Sequence, residues 1–310
     1  MSLVDLDNVS KTFRSKGLAR PATSAVRGVS LTMPRGGVFG LVGESGSGKT
    51  TLARALLFLD PPTEGRVRFD GVDLGGLRRS EIRAMRRRMQ IVFQDPTGAL
   101  NPRLRVRKSL EEGLHNLGLG GAEVVERIDE VSDLVSIPAT HLVRYPHEFS
   151  GGQIQRLVIA RALTMRPEFL VLDEPVSSLD VSIQARIVNL LIDVKQKLSL
   201  TYLFISHDLN LVAYLCDRIA VMRAGRLVEV GNADDLIEAP SHIYTRRLFA
   251  DTLQVRGWRT QKTGEATRGT NRESGCAFDR ACSMKSKCIR FDPPFTWRSK
   301  DHGVACFKAT

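Results

Sequence analysis

"VFGLVGESGSGKTTLARALLFL", residues 38–59, changes its hydrophobic period midway, and that change decides the fold. "VFGLVG" is a short apolar run of strand type, and "KTTLARALLFL" spaces its apolar residues as one face of a helix. The turn between them, "GESGSGKT" at 43–50, fits the pattern G-x-x-x-x-G-K-[ST]. Glycines let successive backbone N–H groups curl around an anion, and the helix start adds the positive end of its dipole. Lys49 is then placed to reach the β- and γ-phosphates of a nucleotide, and Thr50 to hold Mg²⁺.

Outward from this unit the pattern continues. "LVDLDNVSKTF" and "AVRGVSLTM" alternate apolar and polar residues, as half-buried antiparallel strands do. "RMQIVFQDP" reads as a buried strand ending at Gln94, and residues 97–166 read as mostly helical, with breaks at "GLGGAE" and "RYPHEFSGGQ". "EFLVLDEP", "TYLFISHD" and "RIAVMRAGRLVEVG" resume the strand pattern. Strands alternating with helices predict an α/β fold with a mainly parallel sheet and crossover helices.

Two further stretches carry chemistry. "FLVLDEP" puts Asp173 and Glu174 at the carboxyl end of a strand, where open α/β sheets bind ligands. Asp173 suits Mg²⁺ and Glu174 an attacking water; the bland alternative is a cap on the next element. "FSGGQIQRLVIARAL" opens a second helix with Ser150, Gly151 and Gly152, a second anion-binding helix start or an ordinary cap. A single nucleotide seldom needs two such cradles, so the second can serve the nucleotide of another chain.

Composition narrows the class. An apolar fraction of 42% and a charged fraction of 25% over 310 residues describe an ordinary globular protein. The first residues lack the basic and apolar regions of a secretory signal, and no apolar run approaches the length of a membrane span. These features predict a cytosolic protein with reduced thiols. The net charge of +11 is unevenly placed: from Val255 onward 12 Lys/Arg face 5 Asp/Glu, while the remainder is nearly balanced at 33 against 29. "RAMRRRM" (Arg83, Arg86, Arg87, Arg88) reads as the solvated face of a short helix. With 6% aromatics and none inside that run, the sequence argues against a stacking platform for single-stranded nucleic acid.

Taken in order, these motifs resemble those of the ATP-binding cassette (ABC) ATPases over residues 3–250. Phe13 matches the aromatic that stacks on adenine. Gly43, Glu44, Ser45, Gly46, Ser47, Gly48, Lys49, Thr50 and Thr51 match Walker A, and Gln94 matches the Q-loop, a further contact to Mg²⁺ and water. Ser150, Gly151, Gly152 and Gln153 match the signature, Asp173 and Glu174 match Walker B, "SSLD" ending at Asp180 matches the D-loop, and His207 matches the switch histidine. Phe149 stands where Leu is usual and Thr50 where Ser is usual; both changes are chemically mild.

The resemblance implies an ATPase with a P-loop (RecA-like) ABC nucleotide-binding domain at residues 1–250. That domain would hold an antiparallel β subdomain and a helical subdomain at about 97–166. Two such domains would sandwich two ATP, Glu174 positioning water while Lys49, His207, Gln94 and Mg²⁺ serve the γ-phosphate. "FQDPTGALNPRLRV" and "DEPVSSLDVSIQARI" are similar to the peptide and nickel importer subfamily. Its members work at the cytoplasmic face of the inner membrane, with a second ATPase subunit, identical or different, two permeases and an external solute-binding protein. The alternative reading is a soluble cassette ATPase without permeases, acting in translation, repair or iron–sulfur assembly.

After a polar linker at 251–275 comes a Cys-rich extension at 276–310, which also resembles that subfamily's C-terminal extension. Cys276, Cys282, Cys288 and Cys306 follow the spacing C-x₅-C-x₅-C-x₁₇-C, unlike the C-x₂-C pairs of zinc ribbons. Four thiolates suit a tetrahedral zinc or an iron–sulfur cluster. The resemblance favours a [4Fe–4S] cluster, with Zn²⁺ and metal-free thiols as alternatives. His302 reads as a surface residue, and the short polar tail would take a metal as its staple.

Overall fold

A computed structural model describes residues 2–13, 22–96, 98–252 and 293–307. The chain divides into two units, Met1–Gly76 with Ser206–Thr310 and Leu77–Ile205.

The first unit begins with β1 (Ser2–Phe13) and β2 (Thr23–Pro34), an antiparallel pair. In β2 the alternation seen in the sequence becomes Val26, Val29, Leu31 and Met33 facing the core, with polar residues between them outside. β3 (Val38–Val42) is buried at every position and leads through residues 43–48 into α1 (Lys49–Leu56). β4 (Glu64–Phe69) pairs with the other side of β1, and β5 (Val72–Asp73) pairs with β4, giving the order β2-β1-β4-β5.

The second unit opens with α2 (Arg79–Arg88), where Arg83 and Arg87 are exposed and Arg88 Nη2 donates to Glu168 at 2.9 Å. β6 (Met89–Val92) follows. The stretch read as helical resolves into α3 (Val106–His115), α4 (Gly121–Leu134) and α5 (Gly151–Leu163), which pack on one another. Their shared core includes Leu110, Leu114, Val124, Ile128, Val131 and Leu157. β7 (Phe169–Asp173), α6 (Val181–Leu198) and β8 (Thr201–Ile205) complete the unit. β6, β7 and β8 form a parallel ladder, and β7 and β8 are wholly buried, as strands covered on both faces must be.

The chain then returns to the first unit with α7 (Leu209–Leu215), β9 (Arg218–Arg223), β10 (Arg226–Asn232), α8 (Ala233–Glu238) and α9 (Ile243–Thr252). β9 runs parallel to β3 and antiparallel to β10.

The linker expected at 251–275 and the start of the extension lie, from residue 253 to 292, outside the described residues. The extension's described part, residues 293–307, folds as a hairpin of β11 (Thr296–Trp297) and β12 (Gly303–Val304). β12 pairs with β10 through Glu229 and Val230, so the hairpin continues the sheet and covers strand groups that would otherwise stand at its edge. His302 departs from a simple surface residue: its Nε2 lies 2.9 Å from Oε1 of the fully buried Glu229. No helix among the described residues is long and apolar enough to cross a membrane.

Candidate functional site

In the first unit the phosphate-loop residues are gripped from behind. A Cβ on Gly43 would lie 2.0 Å from the Met222 carbonyl oxygen, and the residue has φ +150°, so no larger side chain fits against β9. Gly48 stands at the N-cap of α1 with φ +101°, leaving the helix start without a side-chain cap. Gly225, in the turn between β9 and β10, donates its N–H to the Ser47 carbonyl at 2.9 Å. Lys49 is only 7% exposed; its Nζ donates to the Gly43 carbonyl at 2.8 Å and the Glu44 carbonyl at 2.9 Å. The loop therefore holds the ammonium among its own carbonyls. Glu44, Ser45, Gly46 and Thr50 are exposed, Ser47 is buried, and Thr51 is half-buried.

His207 is exposed in the turn before α7, whose first N–H groups are capped by Asp208 Oδ1, which accepts from Asn210 at 2.9 Å. Phe13 closes β1 with 44% of its surface exposed, and Lys11 Nζ lies 5.5 Å from its ring centroid.

In the second unit the two Walker B residues differ in burial and backbone conformation. Asp173 ends β7 and is 4% exposed. Glu174, next in the chain, takes the left-handed conformation at φ +48°, outside the extended strand region. Its N–H donates to the Ile205 carbonyl at 2.9 Å, which fixes the backbone. Its Oε2 accepts from Gln94 Nε2 at 2.9 Å, joining residues eighty positions apart in sequence. Asp180 is exposed at the N-cap of α6, and Gln184 Nε2 holds the preceding turn by donating to the Val176 and Leu179 carbonyls.

The SGGQ helix start lies in the same unit. Ser150 is the N-cap of α5, and Gln153 Oε1 accepts from its N–H at 3.0 Å and its Oγ at 3.2 Å. Ser150 and Gly151 are exposed, Gly152 is buried against Ile183, and Gln153 is half-buried.

Of the four tail cysteines, Cys276, Cys282 and Cys288 lie outside the described residues. Cys306 is a free, partly exposed thiol just beyond β12. Among the described residues no cluster of His, Cys, Asp and Glu could hold a metal ion.

One residue of the phosphate-loop surroundings escapes sequence reasoning. Tyr244, in the first turn of α9, places its hydroxyl 3.1 Å from the Glu44 N–H. Nothing local in "SHIYTRRLF" marks it, because the contact spans two hundred residues.

A family model described as "ABC transporter" matches residues 26–177, and one described as "Oligopeptide/dipeptide transporter, C-terminal region" matches residues 228–288. A Brucella ovis protein carrying a peptide import ATP-binding name is 47% identical over 286 residues, 90% of each chain. The dipeptide transport ATP-binding protein DppF of Lactococcus lactis is 49% identical over 252 residues, 80% of each chain. Among solved structures, cbiO1 of Clostridium perfringens, part of a cbiONQ transporter complex, has a TM-score of 0.68 at 28% identity. That similarity covers 77% of this chain and 91% of that one. A dimeric ATP-binding cassette bound to ADP and Pi has a TM-score of 0.66 at 29% identity, covering 74% and 98%.

Proposed function

The chain belongs to the ABC transporter ATPase family, and from that premise we propose that it is the ATP-hydrolysing subunit of a peptide importer. The observation that carries the hydrolytic part is the pairing of Gln94 with Glu174. A carboxylate at a strand end, with its backbone tethered to β8 and one oxygen held by an amide, is a preorganised site for orienting a water. Lys49 supplies the cation facing the β- and γ-phosphates, and Phe13 offers its exposed ring to adenine. His207 stands in an exposed turn from which a γ-phosphate contact is open to it.

Thr50, Asp173 and Gln94 are the residues that would hold Mg²⁺. A hydroxyl, a carboxylate and an amide oxygen form the hard donor set this ion prefers, and Gln94 Nε2 is already engaged by Glu174, which leaves Oε1 for the metal or its water. When bound, the ion neutralises charge on the β- and γ-oxygens.

Ser150, Gly151, Gly152 and Gln153 serve the nucleotide of a second ATPase subunit. Their exposed face and self-satisfied cap fit a surface that waits for a partner. Phe93 and Leu104, exposed apolar residues of the second unit that lie close in sequence to Gln94 and Asn101, offer a permease an apolar contact. The subunit would sit peripherally on the cytoplasmic face of the inner membrane beneath two permeases, with a solute-binding protein outside. Peptide is favoured over nickel as cargo because the relatives that match 80–90% of the chain carry peptide and dipeptide names.

For the tail the reading is a [4Fe–4S] cluster, supported by four thiols within residues 276–306 and by the free, partly exposed Cys306. Anaerobically purified protein should be brown and contain iron; stoichiometric zinc, or no metal after reconstitution, would replace that reading.

The test of the transport function is reconstitution with the neighbouring permeases in vesicles. ATP-driven uptake of a labelled oligopeptide, lost in Glu174→Gln, is the expected result. Uptake of Ni²⁺ but not peptide would reassign the cargo, and full turnover in Glu174→Gln would remove Glu174 from its role.

A further inference from the structure

The Glu44 peptide is held on both sides. Its carbonyl accepts from Lys49 Nζ at 2.9 Å, and its N–H donates to the Tyr244 hydroxyl at 3.1 Å. Tyr244 is in turn tightly fixed. It is 2% exposed, its ring lies 4.7 Å from the Arg223 guanidinium, and its N–H donates to His242 Nδ1 at 3.0 Å. Arg223 directly follows Met222, whose carbonyl backs Gly43, so two successive residues of β9 support the first two residues of the loop.

The turn carrying Tyr244 has its own anchor. The fully buried Glu229 carboxylate accepts from the Ser241 N–H at 2.7 Å and the His242 N–H at 3.0 Å, and it meets His302 of the C-terminal hairpin. Burial pushes the Tyr244 phenol up to about 12, which keeps it a neutral hydroxyl at physiological pH. A run of satisfied contacts thus leads from the hairpin, through Glu229 and α9, to the peptide on which Lys49 rests.

We infer that Tyr244 is a positioning residue for Lys49. By fixing the plane of the Glu44 peptide it fixes the carbonyl that stores the ammonium, and so sets where Lys49 stands when a phosphate enters. The inference rests on the reading of residues 43–50 as an ATP site. If Tyr244 merely filled the core, its hydroxyl would matter equally with or without Lys49.

A double-mutant cycle separates the two. Tyr244→Phe keeps the ring and its contact with Arg223 and removes one oxygen. Binding of trinitrophenyl-ATP to the full chain is titrated for wild type, Tyr244→Phe, Lys49→Ala and the double variant. Loss of one neutral hydrogen bond predicts about fivefold weaker binding in Tyr244→Phe. In the Lys49→Ala background the same change should cost less than about twofold. Amide exchange at Glu44 should also accelerate in Tyr244→Phe, while Leu41 and Val42 keep their protection. Unchanged affinity, or an equal loss in both backgrounds, overturns the inference while leaving the ATP site standing. Wild-type affinity in Lys49→Ala overturns the ATP-site reading and this inference with it.

Discussion

Two glycine-bearing turns each open a helix in this molecule, and they are built oppositely. The turn at 43–48 is gripped from behind by Met222, Gly225 and Tyr244, and its lysine is buried. The turn at 150–152 is exposed on its outer face, and its cap is satisfied within its own four residues by Gln153. Backbone N–H groups at a helix start can receive an anion in either setting. What differs is who orders the turn. Under the proposed function, a loop that aims a cation gains from rigid backing by its own fold, whereas a loop completed by a second molecule needs only to stay solvated and preformed.

The largest expected effect tests that division directly. Lys49→Ala should lower turnover by at least about 100-fold through loss of the phosphate-facing cation. Ser150→Arg should do the same while leaving nucleotide binding to its own chain intact. In a mixed dimer that carries one defect per subunit, both should fall on one ATP site and leave the other site complete. Two half-damaged sites would mean that each helix start serves its own chain.

Substituting the glycines sharpens the contrast in stability. Gly43→Ala forces a Cβ into the Met222 carbonyl and should cost about 3 kcal/mol or more. Gly151→Ala meets only the Leu179 side chain at 3.5 Å without a left-handed φ, and should change stability by less than about 0.5 kcal/mol. Comparable losses in denaturant melts would erase the distinction.

Acid should loosen the backed turn alone. Burial, aided by Arg223 and opposed by Glu229, lowers the His242 pKa from 6.5 to about 4. Between those values the unfolded chain binds the extra proton, so stability falls as pH drops from 6.5 toward 4, and His242 adds no slope above that window. The full loss amounts to about 3 kcal/mol. His242→Asn, which can still present an oxygen to the Tyr244 N–H, should flatten the slope. An unchanged slope would detach His242 from the effect.

The smallest effect concerns the anchor behind that turn. His302→Ala removes one contact to Glu229 and should cost about 1 kcal/mol, measured as a lower urea midpoint with unchanged m-value. No change at all would make the hairpin incidental to the backing of α9.

How much of this was legible in the sequence follows the range of the contacts. Residues 38–59 revealed a strand, a turn and a helix because periodicity and glycine spacing are local, and the buried runs of β7 and β8 were readable for the same reason. The helical stretch was readable in bulk and resolved at its glycine breaks. Gln94 and Glu174 were each singled out, but their contact was not, because eighty residues separate them and no spacing rule links them. Tyr244 was invisible: an aromatic at a helix start looks like core, and only the fold brings its hydroxyl to the loop. His302 reads as surface in the sequence because its partner Glu229 lies seventy-three residues away on β10, where a carboxylate inside a continuously buried strand looks like an outward-facing position. The tail looked detached because its polar approach carries no period, whereas the pairing of β12 with β10 needs only two residues.

That two-residue pairing has a colloidal consequence. A long, flat outer strand templates the addition of further chains, and proteins at high local density are exposed to that hazard. Here the outermost described strand on that side is β11, only two residues long, with Trp297 crossing Phe295 edge to face at 5.5 Å. Lattice growth along the hydrogen-bond direction therefore has almost nothing to seed on, and the sheet limits its own extension where crowding would otherwise encourage fibres.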